Sequence, residues 1–128
     1  MNAARRTPRC RAKDKARRQY IRKHHFFQWR AQTLSAKKAK GVTAIGLARL
    51  WKAQRGRCAL SGRKLGRDAH IDHIIPMAKG GATVLENLRF LDPDVNFARR
   101  AMLDEDFIRL CEDVLHQVWE RLKDAGEI

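Results

Sequence analysis

The chain has 128 residues, with 28 Lys/Arg against 14 Asp/Glu, a formal net charge of +14 and a sequence pI near 10.7. That length fits one small domain with one modest core; no apolar run reaches the length of a membrane span, and no signal-peptide pattern opens the chain. Cys10, Cys58 and Cys111 are far apart and odd in number, which argues against a disulfide framework and sets the expected location as the cytoplasm.

The charge is unevenly placed. Residues 1–40 hold 14 Lys/Arg against one acid, Asp14, whereas residues 41–128 hold 14 against 13 acids. A nearly neutral body with a basic arm points to a polyanionic partner, and for a soluble protein that partner is most often nucleic acid. Residues 1–12 read as a disordered leader. From about 13 to 35, Ala16, Tyr20, Phe27, Ala31 and Leu34 recur at helical steps, which predicts one amphipathic helix docked on the body through Phe27. Trp29 lies among basic groups and could either dock or stack on bases. Residues 35–41 read as a basic connector.

A second helix is predicted from Thr43, a good N-cap, to about Arg55, with Gly56 just beyond its end. Ala44, Leu47, Ala48 and Trp51 form its buried face. Residues 57–67 read as a hairpin or loop. The stretch 69–75 reads as a strand ended by Pro76, and 87–91 as a second short strand. Gly80 and Gly81 allow a tight reversal between them. Pro93 suits the first turn of a helix running to about Met102. A last helix is expected from about 105 to 123, capped by Asp104, with Phe107, Cys111, Val114, Val118 and Leu122 as its buried stripe. No internal repeat is visible.

Polar residues stand at the corners of this strand–loop–strand–helix frame: Asp72 and His73, Asn87, Asn96. The segment IDHIIPMAKGGATVLENLRFLDPDVNFARR resembles the HNH endonuclease motif of the ββα-metal (His-Me finger) superfamily. The Asp-His pair, the Ile-Ile-Pro run, the two glycines, ENL and N-x-x-R fall in the family order, and the upstream LARLWKAQRGRCALSG is similar to the entry of many bacterial and phage members. The resemblance covers about residues 47–102. It implies an α+β fold: a ββα core of two short antiparallel strands and a helix, at about 69–102, flanked by N- and C-terminal helices. On this reading residues 1–40 are a basic arm and 41–128 the nuclease domain.

The resemblance assigns the site as follows. His73 would be the general base, since a neutral imidazole can take a proton from water near pH 7. Asp72 and Asn96 would hold one divalent cation, Mg²⁺ by expectation with Mn²⁺ as a substitute, which would neutralise the phosphate and the leaving oxygen. Asn87 would pin the loop and orient His73. Arg99, one turn beyond Asn96, could meet a phosphate. His70 shares a strand face with Asp72 and is a candidate for an additional ligand or phosphate contact. One tension stands: neighbours on an ideal strand point to opposite faces, so Asp72 and His73 can share a site only if the pleat is broken.

Members with a structural zinc carry two C-x-x-C pairs. Here those positions hold Cys58 and Ser61, then Asp92 and Val95, so no structural zinc is expected and Cys58 reads as a small buried residue. The missing burial would come from the Trp51 helix and the C-terminal helix. Sequence-independent DNA contacts are expected from Arg17, Arg18, Arg22, Lys23, Arg30, Lys37, Lys38 and Lys40 on the arm, and from Arg63, Lys64, Arg67, Lys79 and Arg100 near the site. The expected partner is DNA, with no membrane and no small-molecule cofactor, and a monomer that nicks one strand per active centre. Two other readings stay open: a DNA-binding accessory protein of phage packaging with weak or no cleavage, and a nuclease toxin domain resembling colicin DNases.

Overall fold

A computed structural model describes residues 8–35 and 39–128. Five helices and two strands follow in the order α1 (Pro8–His24), α2 (Phe26–Ser35), α3 (Ala44–Ala53), β1 (His70–His73), β2 (Leu88–Leu91), α4 (Pro93–Arg99) and α5 (Asp104–Asp124). The strands pair antiparallel in unbroken register, from His70 opposite Leu91 to His73 opposite Leu88. With α4 they make the ββα unit, an α+β arrangement flanked by helices on both sides of the chain.

Local chemistry explains most of the boundaries. Thr43 caps α3, its side chain accepting from Gly46 N at 3.0 Å. Asp92 caps α4 through Asp94 N, and Pro93 occupies the first turn, where its missing N–H is not needed. Pro76 follows β1 and opens a short 3₁₀ turn, and Gly80 closes that turn in the left-handed region at φ 87°.

The arm differs from its expected form. Residues 8–12 are the first turns of α1 rather than a leader, and residues 1–7 lie outside the described ones. The helix expected over 13–35 is two helices, parted at His25, whose carbonyl accepts from Trp29 N. The division is physical. Tyr20, in α1, is 59 % exposed, while Leu34, in α2, is 6 % exposed and belongs to the core. Phe26 and Phe27 of α2 meet Trp51 and Phe90 edge-on or tilted, at centroid distances of 5.0–6.4 Å within the four-ring cluster. Such ring pairs add to the burial of large apolar area. The docking half of the predicted stripe is therefore real, and the Ala16–Tyr20 half is solvent-facing.

The core gathers Leu34, Leu47, Cys58, Leu65, Ala69, Leu88, Phe90 and Leu91. Cys58 is 4 % exposed, as expected of a small buried residue. Burial pushes its thiol up, but hydrogen bonds from Ser61 and from backbone N–H groups, including that of Asp92, bring it below the usual range. The Gln54 side chain satisfies the far edge of β2. Its Oε1 accepts from Phe90 N at 2.8 Å and its Nε2 donates to Phe90 O at 2.9 Å.

α5 corrects two expectations. Asp104 does not cap it: Leu103 holds the N-cap position with no side-chain hydrogen bond, because the Asp104 carboxylate is drawn to two arginines described below. Nor does α5 supply core burial. Val114, Leu115 and Trp119 are 57 %, 67 % and 52 % exposed, so its apolar face runs past the body instead of lying against it.

Candidate active site

The loop between the strands is built around Asn87. Its Oδ1 accepts from Ile75 N at 2.9 Å, and its Nδ2 donates to Ile75 O at 3.1 Å and to Ala82 O at 2.9 Å. Three bonds from one amide tie both ends of the loop together. Gly81 makes this closure possible, since a Cβ there would stand 1.7 Å from Ile75 O. Gly81→Ala is accordingly expected to open the loop while the core stays folded; limited proteolysis beside a thermal melt would check it.

His73 ends β1 and faces this loop. Its Nε2 lies 2.8 Å from Thr83 Oγ1. Thr83 is buried, and its carbonyl accepts from Lys40 N at 3.0 Å, so the residue whose hydroxyl fixes the imidazole is itself held by backbone. Thr83 escaped the sequence reading. Nothing in one sequence distinguishes a threonine two residues after Gly-Gly from any other loop threonine.

Asp72 faces elsewhere. The pleat is regular, so Asp72 and His73 part company: Asp72 Oδ2 accepts from Arg89 Nε at 3.0 Å and Oδ1 from Arg99 Nη1 at 3.1 Å. Arg99 is 1 % exposed and also donates to His73 O and Ile74 O at 2.8 and 2.9 Å and to Asp104 Oδ1 at 3.2 Å. Arg89 completes the ring with two 2.6 Å bonds to Asp104. The result is a quartet of two arginines and two aspartates, buried except for Asp104, joining β1, β2, α4 and the start of α5. Burial lowers the Arg89 pKa, yet hydrogen bonds to Asp104 and Asp72 carry it above its ordinary value overall. The bonds from Arg89 hold the Asp104 carboxyl below the usual range, against partial burial.

A sign follows for pH. A carboxylate with a depressed folded pKa adds stability that is complete above its unfolded pKa, about 3.9, and is lost as pH falls through the folded value. The wild type should therefore exceed Asp104→Asn in stability at neutral pH, and the gap should close only below about pH 4. Urea melts of both proteins at a series of pH values measure this.

His70 and Asn96 meet directly, Asn96 Nδ2 standing 2.8 Å from His70 Nδ1, with Phe97 edge-on to the His70 ring. Asn96 and His70 are thus partly exposed neighbours, whereas Asp72 is sealed. The residues as placed do not fit the divalent cation that the resemblance implies. A cation at Asp72 would sit beside two guanidiniums that already occupy both carboxylate oxygens, and the His70–Asn96 pair offers no negative charge. Among the described residues no group of three or more His, Cys, Asp or Glu is placed to hold a metal ion. Arg99, expected at a phosphate, is turned inward: the carbonyls of His73, Ile74 and Arg100 and two carboxylates take its five donors.

Basic residues are exposed along the arm and on the body, where Arg63 pairs with Asp92 and Asp94. Arg17, Arg18, Arg22 and Lys23 are exposed on α1, and Arg63, Lys64, Lys79 and Arg100 are exposed on the body. Lys40 is exposed beside the loop, and Lys37 and Lys38 lie outside the described residues. Arg22 and Arg30 stand 5.0 and 5.1 Å from the Trp29 ring centroid. Burial, then the nearby charge of Arg22, lowers the Arg30 pKa. Trp29 thus serves as a platform for two cations. Arg67 donates to Lys23 O and ties α1 to the body.

Two antiparallel strands joined by a loop that an asparagine pins, a histidine at the end of the first strand and a helix after the second together make a ββα unit. Residues 56–94 match the family described as HNH endonuclease, the one the motifs led us to expect. No curated protein and no solved structure matches the chain. Among the described residues no helix is long and apolar enough to cross a membrane.

Proposed function

We propose that the protein is a DNA endonuclease that hydrolyses phosphodiester bonds, nicking one strand per centre, with His73 as the general base. The observation that carries this is the His73–Thr83 contact within a loop pinned by Asn87, in a segment that matches a nuclease family. Thr83 fixes the ring through Nε2, and in this reading the imidazole takes the proton from water as it attacks phosphorus. The 3′ oxygen then leaves. Developing charge on the phosphate meets the exposed cations Lys79 and Arg100. Binding of Mg²⁺, the cation the resemblance implies, would require Asp72 first to release a guanidinium. A plasmid-nicking assay with Mg²⁺, Mn²⁺, Zn²⁺ or EDTA tests the reading, and absence of nicking under every condition refutes it.

The sealed Asp72 favours one second reading: a DNA-binding accessory protein, of the kind that serves phage packaging, with weak or no cleavage. In that case the same assay shows binding without nicking.

The packing of α2 decides where the basic arm can be cut. A cut after residue 40 would remove Leu34 and the Phe26–Phe27 pair from the core, so the informative deletion is residues 1–25, which takes ten Lys/Arg and one acid. This truncation is expected to fold, to bind DNA more weakly and to show a shallower salt dependence, by roughly 0.9 in log–log slope for each phosphate it no longer neutralises. Binding titrations across a salt series check it; an unchanged slope assigns DNA binding to the body instead.

A further inference from the structure

We propose that α5 pairs antiparallel with α5 of a second copy of this chain. Ile108, Cys111, Leu115, Val118 and Leu122 recur at alternating steps of three and four, the seam that two helices share. The first turn of that seam is held against the body by Asp104. Beyond it the helix projects, and Val114, Leu115 and Trp119 stand in solvent. Residues 1–7 and 36–38, outside the described ones, carry no large apolar side chain other than Met1, so they cannot cover the stripe.

Three features select a second copy as the occupant. First, the surface is self-complementary. At the start of α5 a groove of about 370 Å³ opens between the helix, at Ile108, Cys111 and Leu115, and the body, at Leu60 and Val95. An antiparallel two-fold pair centred near Val114 lays the exposed Trp119 of each copy over Ile108 of the other, at that groove, which is the self-matching a closed dimer requires.

Second, the ends are charged in the matching sense. Asp104, Glu105 and Asp106 occupy the first turn and Arg121 and Lys123 the last, so antiparallel pairing sets acids against bases and opposes the two helix dipoles. Third, the area suffices. Exposures of 36–67 % at Ile108, Val114, Leu115, Val118 and Trp119 leave about 500 Å² of surface per copy, so a pair that buries them fully removes on the order of 1,000 Å², the threshold for a specific interface. The dimer brings two candidate centres into one particle, one for each strand of a duplex.

Sedimentation velocity on the full chain, without DNA, from low to high micromolar concentration, tests the pairing independently of any nuclease activity. The wild type should form a dimer, and Leu115→Ser/Trp119→Ser should stay monomeric with an unchanged near-ultraviolet signal from Trp29 and Trp51. A wild type that remains monomeric throughout overturns the proposal, as does a dimer that survives the double substitution. Orientation is read from Cys111 in a Cys10→Ser background. The antiparallel pair sets the two Cys111 residues about 9 Å apart along the axis, beyond disulfide reach, so a covalent dimer on mild oxidation overturns it.

Discussion

His73→Ala is expected to lower plasmid nicking on the order of 10²–10⁴-fold while leaving DNA affinity near wild type. On the proposed reading the imidazole acts on water rather than on the phosphates that set affinity, and its removal leaves the loop intact. Asn87 still holds Ile75 and Ala82, and Gly81 still passes beneath Ile75 O. Thr83 Oγ1 is left without the ring nitrogen, and a hydroxyl can turn to another acceptor. Activity and stability should therefore separate in this variant: steady-state nicking falls, and the thermal midpoint stays within a few degrees. A variant that nicks at the wild-type rate removes His73 from the role of base.

Arg99→Met is expected to do the reverse first. The side chain is 1 % exposed and donates to Asp72, Asp104, His73 O and Ile74 O. Methionine replaces its volume but none of its donors. Asp72 keeps only Arg89, and two carbonyls at the end of β1 lose their side-chain donor. Breaking a buried pair from one side costs about 3–5 kcal/mol, a large part of the stability of a domain this size. Denaturant melts measure the loss. An arginine whose work was to meet a phosphate from the surface would change stability by less than about 0.5 kcal/mol, so the melt alone separates the holding role from the phosphate role.

The same contrast shows what the sequence could disclose. Caps, turns and short strands were legible because their signals are local: Thr43 before an apolar run, Asp92-Pro93, Pro76, Gly80-Gly81. The loop chemistry around Asn87 and His73 came from the resemblance of one continuous segment. The quartet was not legible, since Asp72, Arg89, Arg99 and Asp104 meet only after both strands and α4 are in place. Arg89 looks like an ordinary polar position in a strand, and its placement directly opposite Asp72 depends on a register that the sequence does not print. The break at His25 was hidden because the apolar steps continue across it. α5 failed in a different way. Its periodicity suggests a stripe buried within the chain, whereas Cys111, Val114 and Val118 are exposed; periodicity does not say whether a covering surface belongs to the same chain.

The Gln54 side chain has a consequence beyond holding α3 to β2. A sheet of two short strands is mostly rim, and a bare rim invites a third strand from any chain that drifts past. Here Phe90 presents both of its outward backbone groups to the Gln54 amide and a further bond to Ala59 N, while Leu88 N is taken by Leu85 O. On the opposite rim the guanidinium of Arg99 covers His73 O. Two side chains thus stand where neighbouring strands would add. Along β2 the sheet is closed to peptide recognition by strand addition and protected from growth into fibrillar stacks, even in a chain that leaves the apolar face of a long helix in the open.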